Sequence, residues 1–273
     1  MPGKIKELLD SIIQERSKGN PVIEEMTKAK LILKGLNPSN FHEFSDDDEY
    51  ILEKVYTIVE QLNVKKTIGT PSNIKSAQSL KANEVDAVAE LQVQLSEIDV
   101  KVVIFFAAPC YNLDKLSLLM QDAFPNAYTF GSSTAGEITS GEMLKNSVVA
   151  MGFNNNVISD AKIAVMENIS KELNIDEAIL SFEKHFNESA YLMDSSRYVG
   201  IILVDGICQK EEKIMELIGD RTNLIFIGGS AGDNRAFLKT HVCANGRAYT
   251  DATVLVLLKL QDQITFLFEA HYN

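Results

Sequence analysis

Two glycine-rich turns carry the residues best suited to chemistry in this chain. The first reads Gly131-Ser132-Ser133-Thr134-Ala135-Gly136-Glu137, and the second Gly229-Ser230-Ala231-Gly232-Asp233, followed by Asn234. Glycine permits backbone angles closed to other residues and lets a ligand approach the main chain. Successive N–H groups in such a turn can hold an anion such as a carboxylate. Ser132, Ser133, Thr134 and Ser230 add hydroxyls, while Glu137, Asp233 and Asn234 could meet an ammonium or a hydroxyl group. Together these groups suit a small zwitterion of the amino-acid type. The same glycines serve equally well as plain turns between strands, and sequence alone does not decide between the two.

Other chemistries find no support. The chain has neither G-x-x-x-x-G-K-[ST] nor G-x-G-x-x-G after a strand. Gly131–Gly136 has the spacing G-x-S-x-x-G, one residue too long for a nucleophile elbow. His185 and His241 could partner a serine only by being present, so an enzyme is not expected. The four histidines, His42, His185, His241 and His271, show no metal-ligand spacing. Cys110, Cys208 and Cys243 are too dispersed for a disulfide framework or a CxxC metal site. Cys110 and Cys208 lie 98 residues apart and are expected at equivalent places, as small apolar residues near strand ends.

The net charge is −12. Residues 1–68 contribute −2, so residues 69–273 carry −10. An acidic surface without a basic stripe argues against nucleic acid as a partner. Lys65-Lys66 reads as a solvated helix end. No apolar run approaches the roughly 20 residues that span a bilayer. The start, Met1-Pro2-Gly3-Lys4, lacks the apolar centre of a signal peptide. A cytoplasmic protein with no membrane insertion is expected.

The elements that must position the turns follow from periodicity. Ile5, Leu8, Leu9, Ile12 and Ile13 make one helical stripe, stopped at Gly19. Asn20-Pro21 opens a second helix whose apolar side is Val22, Ile23, Met26, Leu31, Ile32 and Leu33, with Gly35 at its end. Ser45-Asp46-Asp47-Asp48 resembles a capping box for a third helix carrying Ile51, Leu52, Val55, Ile58, Val59 and Leu62. That acidic run lacks the spaced ligands and central glycine of an EF-hand. A helical segment over 1–66 is therefore expected, with a boundary at the polar stretch 66–74. Strands and helices alternate beyond it.

Residues 73–153 and 160–260 then read as two copies of strand–helix–strand–helix–strand–strand. Val102–Phe106 leads into the first turn and Gly200–Val204 into the second. The turns are 98 residues apart, from 131 to 229, and the second is two residues shorter. Asn245-Gly246 marks a hairpin, because both central positions of that turn need positive φ. Strand-like runs cover 239–243, 253–260 and 263–269. The expected fold is α/β with mixed sheets, internally duplicated, behind a small all-α segment.

Val102–Phe106, the Gly131–Glu137 turn, and Ile227-Gly228-Gly229-Ser230-Ala231-Gly232-Asp233 with the later Asn245-Gly246 resemble the N-terminal half of the FIST domain, over about residues 70–270. The G-[CS]-S-T-A-G-E-type turn is the more specific part. The resemblance implies a sensory input module of the kind found in bacteria and archaea, coupled to a downstream signalling protein and binding a small ligand, amino acids being the usual proposal. Some members are haem-binding nitric-oxide sensors, and a eukaryotic F-box ubiquitin-ligase subunit also carries the domain. A haem-based gas sensor and a ligand-free interaction scaffold are thus the alternatives, and a homo-oligomer is compatible with either. The family continues into a C-terminal half, so a chain ending at Asn273 is expected to be a fragment or a short member.

Overall fold

The computed structural model describes residues 3–17, 20–42, 45–61, 73–139, 141–262 and 264. The expectations on Gly19, Leu62, Lys65-Lys66, the 66–72 stretch, the final strand-like run and His271, and on the side chains of Val22 and Val59, lie outside the described residues. The chain separates into two compact units, Met1–Pro71 and Ser72–Asn273.

The first unit holds α1 (Lys4–Ser17), α2 (Pro21–Leu33), a 3₁₀ turn (Pro38–Asn40) and α3 (Glu49–Gln61). Its core is the α1 stripe of Ile5, Leu8, Leu9, Ile12 and Ile13, met by Leu31, Leu36, Val55 and Ile58. Gly35 ends α2 at a left-handed φ of 78°. The acidic run splits its work. Asp48 caps α3 through the Ile51 N–H at 3.1 Å, whereas Asp47 accepts from Lys4 and Ile5 N–H at the start of α1. The expected apolar side of α2 is largely uncovered, with Ile23, Met26, Ile32 and Leu33 all exposed.

The second unit contains the duplication. The first copy runs β1 (Ile74–Ser79), α4 (Glu84–Leu95), β2 (Val100–Ala107), α5 (Leu113–Ala123), β3 (Tyr128–Ser133), a hairpin of β4 (Glu137–Thr139) and β5 (Glu142–Leu144), and β6 (Val148–Asn154). The second runs β7 (Ile158–Glu167), α6 (Ile175–Phe186), β8 (Tyr198–Val204), α7 (Glu211–Gly219), β9 (Phe226–Ser230), a hairpin of β10 (Val242–Ala244) and β11 (Arg247–Tyr249), and β12 (Ala252–Leu260). The sheet orders match: β1-β6-β2-β3 in one copy and β7-β12-β8-β9 in the other. In each, only the last pair in that order, β2–β3 or β8–β9, is parallel. Both sheets are therefore mixed, as the later strands with few helices between them implied.

The alternation of apolar residues along each strand fixes the layering. Val102 and Phe130 from one sheet meet Ile163, Val199, Val254 and Val256 from the other in a shared core. The opposite faces, Val103 and Phe105 in one sheet and Ile202 and Leu255 in the other, are covered by α4–α5 and α6–α7 respectively. The result is a four-layer arrangement, helices outside and two sheets inside.

The register corrects the spacing of the copies. Phe105 lies opposite Gly131, and Ile202 opposite Gly228. A Cβ on Gly131 would stand 2.0 Å from the Phe105 carbonyl oxygen, and one on Gly228 would stand 1.7 Å from that of Ile202. The equivalent glycines are thus 131 and 228, 97 residues apart. Two backbone bonds repeat at the same interval: Thr134 N–H to Ala107 as Ala231 to Val204, and Tyr111 to Ala108 as Cys208 to Asp205; in a third, Ala108 to Ser147 as Asp205 to Ala252, only the donor does. The second turn therefore begins at Gly228 and is not shorter. Cys208 takes the place of Tyr111, not of Cys110, and Asn234 takes the place of Glu137. A spacing of 98 would put every side chain of the strand on the wrong face.

Beyond the turns the interval grows to 105. Ile138 faces Met143 as Cys243 faces Ala248. Gly141 and Gly246 are left-handed at φ 93° and 85°, and Asn146 and Asp251 at 54° and 49°. The second copy thus has eight more residues between its turn and its hairpin. That longer connection carries β10–β11 across to the first copy, where β10 pairs with β3. Asn245 and Gly246 both adopt positive φ, as the Asn-Gly signal required, although the hairpin joins β10 to the short β11.

Candidate functional site

Both turns leave the C-terminal ends of parallel strands, the edge at which α/β sheets open to ligands. They meet there. Gly232 N–H donates to the Ser133 carbonyl at 2.9 Å. A Cβ on Gly232 would come within 3.2 Å of Ala135 N, so glycine lets the turns pack main chain to main chain. A cleft of about 510 Å³ lies beside this contact, lined by Ala108, Ala135, Gly136, Glu137, Lys145, Asn146, Asn234 and Arg235.

Glu137 forms the polar wall of the cleft. It is 1% exposed. Its two carboxylate oxygens accept from Thr134 Oγ1 at 2.6 Å and Ser147 Oγ at 2.5 Å. Two hydroxyl donors make the burial of a carboxylate tolerable and hold it in one orientation. Two cations share its lining, Lys145 before β6 and Arg235 at the start of the eight extra residues. Among the described residues neither joins an ion pair. In a chain of net charge −12, they make this cleft a local cationic spot. Asn234 and Arg235 both sit at positive φ, 58° and 67°. Strained backbone of this kind persists only where the surroundings hold it, and it clusters at functional sites.

The hold on that segment is Asp233. Its carboxylate accepts from the N–H groups of Phe237 at 3.0 Å, Leu238 at 2.7 Å and Lys239 at 3.2 Å. These bonds, that of Leu238 foremost, hold the Asp233 carboxyl below its usual range. Asp233 is thus a loop fastener rather than a group free to meet an ammonium.

The other expected site residues divide. Gly136, Glu137 and Asn234 line the cleft, and Thr134 supports Glu137. Gly131 is required by strand packing, and Gly229 has open space where its Cβ would be. Ser132 lies opposite Val242 in the β3–β10 pairing. Ser133 Oγ accepts from His241 N–H at 3.0 Å, a main-chain link and not a serine–imidazole pair. Ser230 Oγ donates to Glu211, away from the cleft lining. Lys145, Asn146 and Arg235 were not singled out from sequence. The first two sit in a polar turn with no motif, and Arg235 becomes visible only once the eight-residue difference between the copies is recognised.

The histidines and cysteines have structural surroundings. His185 Nε2 lies 2.9 Å from Asp160 Oδ2. His241 is lowered by burial. Cys208 Sγ donates to Asp251 Oδ1 at 3.3 Å, and burial first, then this acceptor, push its thiol up to about 12. Cys243 is pushed up to about 12 by burial. Among the described residues no three His, Cys, Asp or Glu side chains are placed to hold a metal. The cleft lining offers no His, Cys, Met or Tyr as an axial ligand, so it does not fit a haem. No described helix is long and apolar enough to cross a membrane.

Comparison with known proteins gives one family. The model of the FIST N domain matches residues 101–273, well over half of the chain. No curated protein matches.

Proposed function

The chain belongs to the FIST family of sensory signal-transduction domains, and we propose that its input site is the cleft between the two turns, holding a small ligand of the amino-acid type. The observation that carries this reading is the set of charges lining one cleft: buried Glu137, with Lys145 and Arg235, which join no ion pair among the described residues. A ligand carboxylate would take the two cations through charge-assisted bonds. Its ammonium or hydroxyl would face Glu137 and the side-chain carbonyls of Asn146 and Asn234. The volume of about 510 Å³ is within the range of small-molecule sites. Ligand binding would favour one arrangement of the Asn234–Lys239 loop, and that population shift would be read by a downstream cytoplasmic signalling partner.

Titration calorimetry of the chain with the twenty amino acids tests the reading. Binding by one or a few, weakened about tenfold or more by Lys145→Met or Arg235→Met, supports it. No heat from any of them, with the chain folded, removes the amino-acid version.

A second reading concerns the helical unit alone. Ile23, Met26, Ile32 and Leu33 leave an apolar strip exposed on α2. A strip of this sort fits a docking element for a protein partner. Charged substitutions at Met26 and Leu33 should then abolish partner recruitment without altering ligand binding.

A further inference from the structure

Internal symmetry pairs β3 with β9, yet their outer edges differ. β3 is covered by β10, antiparallel, with Phe130 opposite Ala244, Gly131 opposite Cys243 and Ser132 opposite Val242. β9 pairs with β8 on one side and, among the described residues, with no strand on the other. Phe130 is 0% exposed, whereas Ile227 in its place is 43% exposed. Gly228, Gly229 and Ser230 are exposed as well. An uncovered edge with neither lysine nor proline in it is a template for another strand.

The hairpin that symmetry assigns to this edge is β4–β5, the counterpart of β10–β11. Its connection from the turn is eight residues shorter, and among the described residues its strands pair only with each other. It also shows bare apolar side chains: Ile138 and Met143, directly opposite each other, are 72% and 75% exposed. The molecule thus carries both halves of an unmade contact, an edge without its hairpin and a hairpin without its edge.

We propose that β4–β5 of one copy of this chain adds to the β9 edge of a second copy, and reciprocally, giving a closed two-fold dimer. The register follows from the contact already made inside the chain: Ile227 opposite Thr139, Gly228 opposite Ile138 and Gly229 opposite Glu137, antiparallel. The open space over Gly229 leaves room for the incoming strand. Because Glu137 both begins β4 and lines the cleft, the strand that binds the partner is the strand that faces the ligand.

Sedimentation velocity of the full chain over a wide concentration range tests this. A reversible dimer is expected. The double variant Ile138→Glu, Met143→Lys should sediment as a monomer with unchanged circular dichroism, since both side chains are exposed. Ile227→Lys, on the other half of the contact, should do the same. In a Cys110→Ser background, Thr139→Cys with Ile227→Cys should give a disulfide-linked dimer on mild oxidation. A monomer at every concentration overturns the proposal. So does a dimer that survives both the hairpin and the edge variants, or a Thr139–Ile227 cross-link formed within one chain.

Discussion

In the first copy Ala108 and Asn146 border an open cleft; at the same two places the second copy has Asp205 and Asp251. Asp205 is 3% exposed. Its carboxylate accepts from Asp251 N–H at 2.6 Å, from Ile207 N–H at 3.1 Å and from the Thr240 hydroxyl. Asp251 in turn accepts from Ser170 and from the Cys208 thiol. Thr240 belongs to the eight extra residues. The second copy has therefore filled the counterpart of the cleft with its own polar groups, each satisfied, as burial demands. Duplication preserved the frame. A methyl replaced by a carboxylate, and an insertion long enough to supply a hydroxyl, separate an opening from a plug. The insertion did a second thing, carrying β10–β11 onto β3, while β9 has no strand on its outer edge among the described residues.

The contrast can be broken most forcefully at Phe130 and Ile227. Phe130→Ala should cost about 3–5 kcal/mol in urea unfolding, because a fully buried ring leaves a cavity. Ile227→Ala, half exposed, should cost about 1 kcal/mol or less in the monomer. Equal losses would mean that the β9 edge is as covered as that of β3.

The glycines sharpen the register. Gly131→Ala and Gly228→Ala should each destabilise by about 3 kcal/mol or more, since their Cβ atoms would run into backbone carbonyls. Gly229→Ala should stay within about 0.5 kcal/mol. A reversed order at 228 and 229 would restore the 98-residue spacing.

The two polar centres should respond differently to loss of charge. Asp205→Asn should destabilise by about 1–3 kcal/mol, because a buried acceptor of three donors is weakened. Thr250→Met should leave ligand binding unchanged, whereas Lys145→Met at the equivalent position weakens it. Calorimetry with the amino acids checks both.

The smallest effects are local. Asp233 has a folded pKa below its unfolded value, so its hold on the loop is complete above the ordinary aspartate range and is lost as pH falls through the depressed value. Protection of the Phe237, Leu238 and Lys239 amides against hydrogen exchange, corrected for intrinsic rates, should fall at that low pH while the β2 and β8 amides stay protected. Alkylation at mildly alkaline pH should mark Cys110, which is exposed though burial raises its thiol somewhat, ahead of Cys208 and Cys243, which are less accessible and pushed up to about 12.

Part of the cleft lining was legible beforehand. Gly136, Glu137 and Asn234, which line it, lie in or beside the glycine turns, because a strand leading into glycines and an acid is a local pattern. Asp233 and Glu137 looked alike as acids and differ in role, because one meets three loop N–H groups and the other two hydroxyls brought from Thr134 and Ser147. Lys145 and Arg235, 90 residues apart in sequence, carry no local signal that they share a cleft.

By itself the sequence determined the α/β class, the two copies and the Asn245-Gly246 turn, since period-two alternation and glycine placement are properties of short segments. Only the tertiary structure decided the 97-residue register, the transfer of β10–β11 to β3 and a cleft left open in one copy and filled in the other. Those depend on which strands approach one another, and a shift of one residue or a connection eight residues longer leaves local propensities unchanged while exchanging every partner.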